Sequence, residues 1–102
     1  MSDLKNLLAP LRVLDVVHRV GGVTRAAEQL HVTPGAVSHQ LRKLESALDV
    51  SLVGKAGREL EFTAVGRDLA RRAAVLFDGL DDALAQARGT GQRRPICVKV
   101  IP

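Results

Sequence analysis

The segment 24–45 constrains the fold of this chain more than any other, because it carries two helical patterns separated by only a few residues. Apolar residues at Ala26, Ala27 and Leu30 predict one face of a short first helix, with Thr24 as its N-cap. A tight corner follows at once. The chain must therefore turn between two helices within this segment.

The second helix of the segment begins with a strong capping signal. The hydroxyl of Thr33 can accept a hydrogen bond from the first turn, and Pro34 fits the first helical position, where its missing N–H costs nothing. The corner before it is formed by His31 and Val32. One buried stripe is predicted from residues that step by four, three and four: Val37, Leu41, Leu44 and Leu48.

The opposite face of the second helix carries a small residue first and hydrogen-bonding groups after it. Its members are Gly35, Ser38, His39 and Arg42. Such a face suits close approach to the major groove of double-stranded DNA, and two helices joined in this way have the layout of a DNA-reading helix-turn-helix.

Composition favours a helical core and argues against one class of nucleic-acid binding. The 102 residues make one small domain, or one domain with an appendage, and 46% of them are hydrophobic but only 2% aromatic. A core of Leu, Val and Ala favours helices, and so few rings argue against stacking single-stranded bases on aromatic side chains. The formal net charge of +4 is by itself a weak hint of an anionic partner.

The chemistry-bearing residue types are sparse. The single cysteine, Cys97, excludes an internal disulfide and fits a reducing compartment, so we expect a cytoplasmic protein with no signal peptide and no membrane span. The three histidines do not fall at metal-ligand spacing. No nucleophile with a base and no glycine-rich phosphate loop is found, so we expect neither an enzyme nor a cofactor or metal site.

Residues 5–20 carry a helical apolar pattern, and the regular part of this helix is expected to start at Pro10. The glycine pair 21–22 ends it. Arg12 and Arg19 lie off the apolar stripe. Each is either a solvated surface charge or a phosphate contact, and the sequence leaves both alternatives open.

Two short strands, 51–55 and 59–62, are predicted after the helix pair, because apolar and acidic residues alternate in the second one and a glycine-containing turn separates them. So small a ribbon must pack against the helices. Lys55 and Arg58 flank its tip, placed to reach a phosphate or the minor groove. The alternative is a solvated hairpin turn.

A long final helix is expected from Ala64 to about Arg88, with Thr63 as its cap and with Gly66 and Gly79 weakening it. About 25 residues span roughly 37 Å, so the outer part needs a partner, most simply a second copy of the chain. The alternative is a helix folded back wholly on its own domain. The pairing residues are expected to be Leu69, Ala73, Leu76, Phe77, Leu80 and Leu84. Acidic residues on its polar side are expected to be solvated or paired across the dimer: Asp78, Asp81 and Asp82.

Three segments of different composition divide the chain. We expect a winged domain at 1–62, a dimerisation helix at 63–88, and a hinge with a strand at 89–102. The strand pattern at 96–101 has nothing after it to pair with, which suggests a truncated larger protein or a tail.

Four strings of residues, 11–14, 21–33, 36–45 and 52–66, combine specific Ala-Ala, Ser-His-Gln and Leu-Glu spacings. Over about residues 4–100, the chain resembles the N-terminal domain of LysR-type transcriptional regulators. The resemblance implies a mainly α fold: a winged helix-turn-helix of three helices plus a two-stranded β-wing, followed by a long dimerising linker helix.

The resemblance also implies a function in bacterial transcription regulation. A homodimer joined through the linker helix would recognise an interrupted inverted repeat in double-stranded promoter DNA. In the family a ligand-sensing domain follows, so a small-molecule effector would act only through that missing domain, and a full-length protein could form a tetramer. The alternative from another class is a dimerisation or protein-interaction module with a vestigial winged helix.

Particular residues are expected to contact DNA. Base edges would be read by Ser38, His39 and Arg42, with Gly35 allowing close approach of the backbone. Contacts with phosphates or the minor groove are expected from Arg25, Thr33, Lys55 and Arg58. Pro34 stands where the family often has a polar reader, so readout there would be shape or contact with a thymine methyl.

Overall fold

The computed structural model describes residues 4–56 and 59–90, the side chains at positions 55, 56, 59 and 90 excepted. In these residues four helices and a two-stranded sheet follow one another: α1 Leu4–Val20, α2 Val23–Leu30, α3 Pro34–Leu48, β1 Val53–Ala56, β2 Glu59–Phe62 and α4 Ala64–Thr90. This order confirms the predicted mainly helical fold, a winged helix-turn-helix followed by a long helix.

α1 begins before Pro10 and continues through it, so the expectation that the regular helix starts at this residue is wrong. Proline lacks the N–H that would bond four residues back, which costs one helical hydrogen bond. Its ring is fully buried, and this burial offsets the loss. The helix ends as predicted at the glycine pair, where Gly21 adopts a left-handed φ of 84°.

α2 begins earlier than predicted, at Val23, with Gly22 as its N-cap. The prediction that Thr24 caps this helix is wrong, because Thr24 already lies in the first turn and no side chain accepts a hydrogen bond at the cap. At the other end His31 adopts a left-handed φ of 60°, and Val32 donates its N–H to a carbonyl in the last turn at 3.0 Å. These two residues form the predicted corner.

α3 begins at the predicted cap. The Thr33 hydroxyl oxygen accepts a hydrogen bond from the N–H of Ala36 at 3.1 Å, and Pro34 occupies the first helical position. Three residues of the predicted stripe are buried: Val37, Leu41 and Leu44. The prediction fails at Leu48, which is 40% exposed, because the helix ends there and the chain leaves the core through the left-handed residue Asp49.

The core lies where the first three helices meet, and it is built from aliphatic side chains. Its fully covered members include Leu14, Val16, Val17, Ala26, Val37, Leu44, Leu52 and Ala70. α1 packs against each of the other three helices. Burying one such Leu or Val side chain contributes about 1.5–3 kcal/mol to stability. Because α1 contributes several of these side chains and contacts every other helix, it holds those helices in place.

The wing is an antiparallel ribbon in which Val53 lies opposite Phe62. β1 starts later than predicted, because Leu52, which the prediction included in the strand, is fully buried in the core. β2 alternates as predicted, with Leu60 and Phe62 half-buried and Glu61 exposed. One face of the ribbon therefore packs against the helices.

α4 begins at the predicted cap, where the N–H of Gly66 donates to the Thr63 hydroxyl oxygen at 3.0 Å. Gly66 also has a packing role. A Cβ at this position would overlap the backbone carbonyl of Leu52, so α4 can approach the backbone at Leu52 this closely only with glycine. The helix continues to Thr90, two residues into the predicted hinge. The rest of the hinge and the strand predicted at 96–101 lie outside the described residues.

The outer half of α4 projects from the rest of the fold. Ala70 and Ala73 are buried, but every residue from Asp78 to Gly89 is exposed. The alternative of a helix folded back wholly on its own domain is therefore wrong. Among the described helices, none combines the length and apolar character needed to cross a membrane.

Candidate nucleic-acid interface

The start of α3 is exposed to solvent. Thr33, Pro34 and Gly35 are all accessible from outside the fold, although the Thr33 hydroxyl already serves as the N-cap. A Cβ at Gly35 would meet nothing closer than the Thr33 hydroxyl oxygen at 3.9 Å, an ordinary contact. Packing within the chain therefore does not require glycine here, in contrast to Gly66.

The next turns of α3 present polar and cationic side chains. Ser38 is half-buried, and His39 and Arg42 are exposed, so the three predicted base readers lie on one accessible side of the helix. His39 and Arg42 line a shallow surface depression together with Lys43 and Ser46. The sequence-based prediction left out Lys43, although its position four residues after His39 puts it on the same face.

Arg25 is the third residue of α2, at the end where no side chain caps the helix. It is exposed, and within residues 4–56 and 59–90 it forms no ion pair. A cation in the first turn opposes the helix dipole. An anion bound at this end would therefore be stabilised both by the arginine and by the free N–H groups of the helix.

The base of the wing is fastened to α3 by Glu45. One of its carboxylate oxygens accepts hydrogen bonds from the backbone N–H groups of Leu52, at 2.8 Å, and Val53, at 3.2 Å. No local sequence signal indicates these two bonds, because they join a residue inside α3 to backbone groups beyond the end of that helix. The two cations predicted at the tip of the wing, the Lys55 side chain and Arg58, lie outside the described residues.

Arg12 and Arg19, whose role the sequence left open, form ion pairs within the chain. Both pair with the buried carboxylate of Asp15, Arg12 at 2.9 Å and Arg19 at 2.6 Å. Arg19 also pairs with Asp78 of α4 at 2.8 Å. Both arginines therefore have partners within the chain. Asp78 was predicted to be solvated or paired across the dimer, but it pairs with Arg19 of its own chain.

The predicted dimerisation residues divide into two groups. The first group packs largely within the chain: Leu69, Ala73 and Phe77. Arg12 lies over the last of these, with its guanidinium carbon 5.2 Å from the ring centroid. The second group is 48–53% exposed and recurs every fourth residue: Leu76, Leu80 and Leu84. Of the predicted pairing residues, these three leucines are therefore the ones left open to another molecule, and the neighbouring Val75 is 75% exposed.

Residues 8–67 match the family model described as a bacterial regulatory helix-turn-helix protein of the lysR family. The chain belongs to the lysR family. Among its curated relatives, the probable transcriptional regulator YhaJ of Escherichia coli K12 is 43% identical over 86 residues, covering 80% of this chain and 29% of the relative. The chain thus spans about a third of the length of the curated relatives that it matches.

Two solved structures have the same fold as this lysR-family chain. The BenM DNA-binding domain, solved in complex with catB site 1 DNA, superposes with a TM-score of 0.75 at 23% identity, covering 86% of this chain and 98% of that one. DarR of Vibrio fischeri, also solved with DNA, gives a TM-score of 0.68 at 26% identity, covering 83% of this chain and 29% of that one. The likeness confirms the winged helix-turn-helix fold.

Proposed function

We propose that this lysR-family chain binds double-stranded promoter DNA sequence-specifically, as a homodimer that recognises an interrupted inverted repeat and so controls transcription in the cytoplasm. The observation that carries the proposal is the exposed side of α3, with Ser38, His39 and Arg42 on a helix whose other side is buried. A helix held in this way fits the major groove, and these side chains offer hydrogen-bonding groups for base edges.

The remaining interface residues have different roles in the proposal. Arg25 binds a phosphate at the uncapped end of α2, and the exposed start of α3 lets the backbone at Gly35 approach the groove. Pro34 contributes shape, or contact with a thymine methyl. Thr33 contacts a phosphate. The wing, held to α3 through Glu45, brings Lys55 and Arg58 to a phosphate or the minor groove.

Relatives support DNA as the partner. YhaJ carries the name of a transcriptional regulator, and DarR was solved bound to DNA at 26% identity to this chain. In keeping with such relatives we assign the chain a regulatory role without catalysis. In this proposal residues 1–62 are the reading domain, α4, which continues to Thr90, is the dimerisation helix, and the residues after it lead to an effector-binding domain.

The dimer rests on the outer half of α4. The exposed series Leu76, Leu80 and Leu84 needs an apolar partner, and the same series on an antiparallel second copy supplies one. Such a dimer carries two reading helices related by two-fold symmetry. It would read half-sites about one helical turn, or a multiple of a turn, apart.

Salt dependence tests the proposal directly. Binding to a fluorescent duplex of random sequence is measured by anisotropy at increasing salt, with a single strand of the same sequence as control. The logarithm of the affinity should fall by about 0.9 units per log unit of salt for each phosphate contacted, and the single strand should bind more weakly. Absence of duplex binding at low salt, while sedimentation still shows a dimer, would contradict the proposal and favour a protein-interaction module.

A further inference from the structure

Asp15 of α1 is a fully buried carboxylate, 0% exposed, and both of its oxygens are engaged. Arg12 donates from Nη1 to Oδ2 at 2.9 Å, and Arg19 donates from Nε to Oδ1 at 2.6 Å. A buried charge is tolerated only when it is paired and hydrogen-bonded. Asp15 therefore fixes the position of both guanidinium groups along α1.

Both arginines reach from α1 to one turn of α4. The Nη2 group of Arg19 donates to the backbone oxygen of Ala74 at 3.1 Å and to Asp78 Oδ1 at 2.8 Å. Arg12 covers the ring of Phe77 in the same turn. The hydrogen bond to Asp15 raises the pKa of the Arg19 guanidinium most, and the hydrogen bond to Asp78 raises it further. The guanidinium therefore remains charged at any pH suited to DNA binding. We call this group of contacts the Asp15 clamp.

The clamp lies at the boundary between the packed and the projecting parts of α4. Ala70 and Ala73 are buried just before it, and from Asp78 to Gly89 every residue is exposed. The same helix α1 packs against α3. The clamp therefore links the direction of the projecting segment to the position of the reading helix.

A small change of angle at the clamp would have a large effect at the end of the helix. The segment 78–90 is about 20 Å long at 1.5 Å per residue, so a rotation of about 10° moves its end by roughly 3.5 Å. This displacement is about the rise of one base pair, 3.4 Å. In a dimer joined through this segment, the angle decides how far apart the two reading helices lie.

We infer that the Asp15 clamp sets the half-site spacing that the dimer accepts, with Arg12 and Arg19 acting as positioning residues that do not touch DNA. The inference rests on the proposed function, because it requires a dimer joined through α4. It predicts that weakening the clamp loosens the spacing requirement and leaves the reading of a single half-site intact.

The test uses two variants that remove different numbers of the hydrogen bonds between Arg19 and α4. Arg19→Met removes both hydrogen bonds to α4 and leaves Arg12 on Asp15, whereas Asp78→Ala removes only the outermost partner and keeps the buried carboxylate fully paired. The matched control is Arg72→Met, which removes the same charge and breaks an exposed ion pair with Asp68, 3.0 Å long, wholly within α4.

The probes are synthetic duplexes that carry one copy, or two inverted copies, of the half-site obtained by selection from a random pool, with the spacing changed by one base pair at a time. For both clamp variants we expect single-half-site affinity within about twofold of the control. The preference for the best spacing over its neighbours should fall by about three- to fivefold, the upper range for partly exposed ion pairs.

Three outcomes are distinguishable. A wild-type optimum that flattens or shifts only in the clamp variants supports the inference. A wild-type optimum that both clamp variants retain overturns the inference and leaves the proposed function standing. Should the wild type show no spacing optimum at all, the proposed dimeric reading fails, and the inference fails with it. If Arg19→Met melts below the assay temperature, Asp78→Ala decides the matter.

Discussion

At the scale of single residues, Gly66 and Gly79, two of the glycines inside α4, differ in what surrounds them. Gly66 is buried where a Cβ would overlap the carbonyl of Leu52, whereas a Cβ at Gly79 would meet no atom within 4 Å. We expect Gly66→Ala to lower the free energy of unfolding by about 1–3 kcal/mol through overpacking. Gly79→Ala should raise it by up to about 1 kcal/mol through helix propensity. Urea unfolding at one protein concentration measures both, and effects of equal sign would contradict this account.

Arg42 and Lys55 should differ in the kind of DNA contact that they make. Arg42→Ala is expected to lower the preference for the selected half-site over random duplex by about 1–3 kcal/mol, because a side chain that reads a base edge is lost. Lys55→Ala should weaken binding to every sequence alike and reduce the salt slope by about 1. Anisotropy titrations against both duplexes measure the difference.

The two substitutions serve as controls for each other, because each removes one positive charge. Arg42 is exposed on α3, so its loss is not expected to open the buried core. An equal loss of affinity on selected and random DNA for Arg42→Ala would show that Arg42 contacts phosphate rather than a base.

At the scale of elements, Glu45 should matter more than an ordinary surface carboxylate. Glu45→Ala leaves the backbone N–H groups of Leu52 and Val53 without their acceptor at a partly buried site, and we expect it to lower the free energy of unfolding by about 1–3 kcal/mol. Glu45→Gln keeps an acceptor oxygen and should cost less. The control is Glu61→Ala on the exposed side of β2. Equal destabilisation by Glu45→Ala and Glu61→Ala in urea would contradict the fastening role.

The elements that could be predicted from the sequence are those whose first residue is marked by a hydrogen bond between groups only a few residues apart. The cap at Thr33 bonds an N–H only three residues ahead, and the cap at Thr63 does the same for α4. At the start of α2 the sequence predicted Thr24 as the cap, and this prediction is wrong. The extended backbone at Gly22 brought Val23 into the helix, which left Thr24 inside the first turn.

The contacts that could not be predicted join segments that are distant in the sequence. Gly66 looks like a weak point of a helix until Leu52 is placed against it, and Glu45 looks like a surface charge until the base of the wing lies beside it. In the same way, an off-stripe arginine such as Arg19 is indistinguishable from a solvated one until α4 is in place. The accessibility of Ser38, His39 and Arg42 on one side of α3 was predictable because a single helix carries all three.

At the scale of the whole molecule, the proposed function gives the winged domain and the projecting half of α4 separate tasks. The winged domain has a buried core and leaves one side of α3 exposed, and the outer half of α4 carries an exposed apolar series. We expect Leu80→Asp to make the chain monomeric, because a carboxylate cannot be buried in an apolar helix pair without a partner. Val65→Asp, an equally exposed position at the inner end of α4, is the control. Sedimentation velocity measures both variants.

Selection of bound duplexes from a random pool tests the central claim most directly. The recovered sequences show both which bases the reading helix recognises and how many copies of the chain bind. The wild-type chain should enrich inverted repeats whose half-site centres lie about one helical turn, or a multiple, apart. Leu80→Asp should enrich the same half-site singly and with lower affinity. Enrichment of unrepeated sequences by the wild type, or no enrichment at all, would contradict a dimeric, sequence-specific reader of DNA.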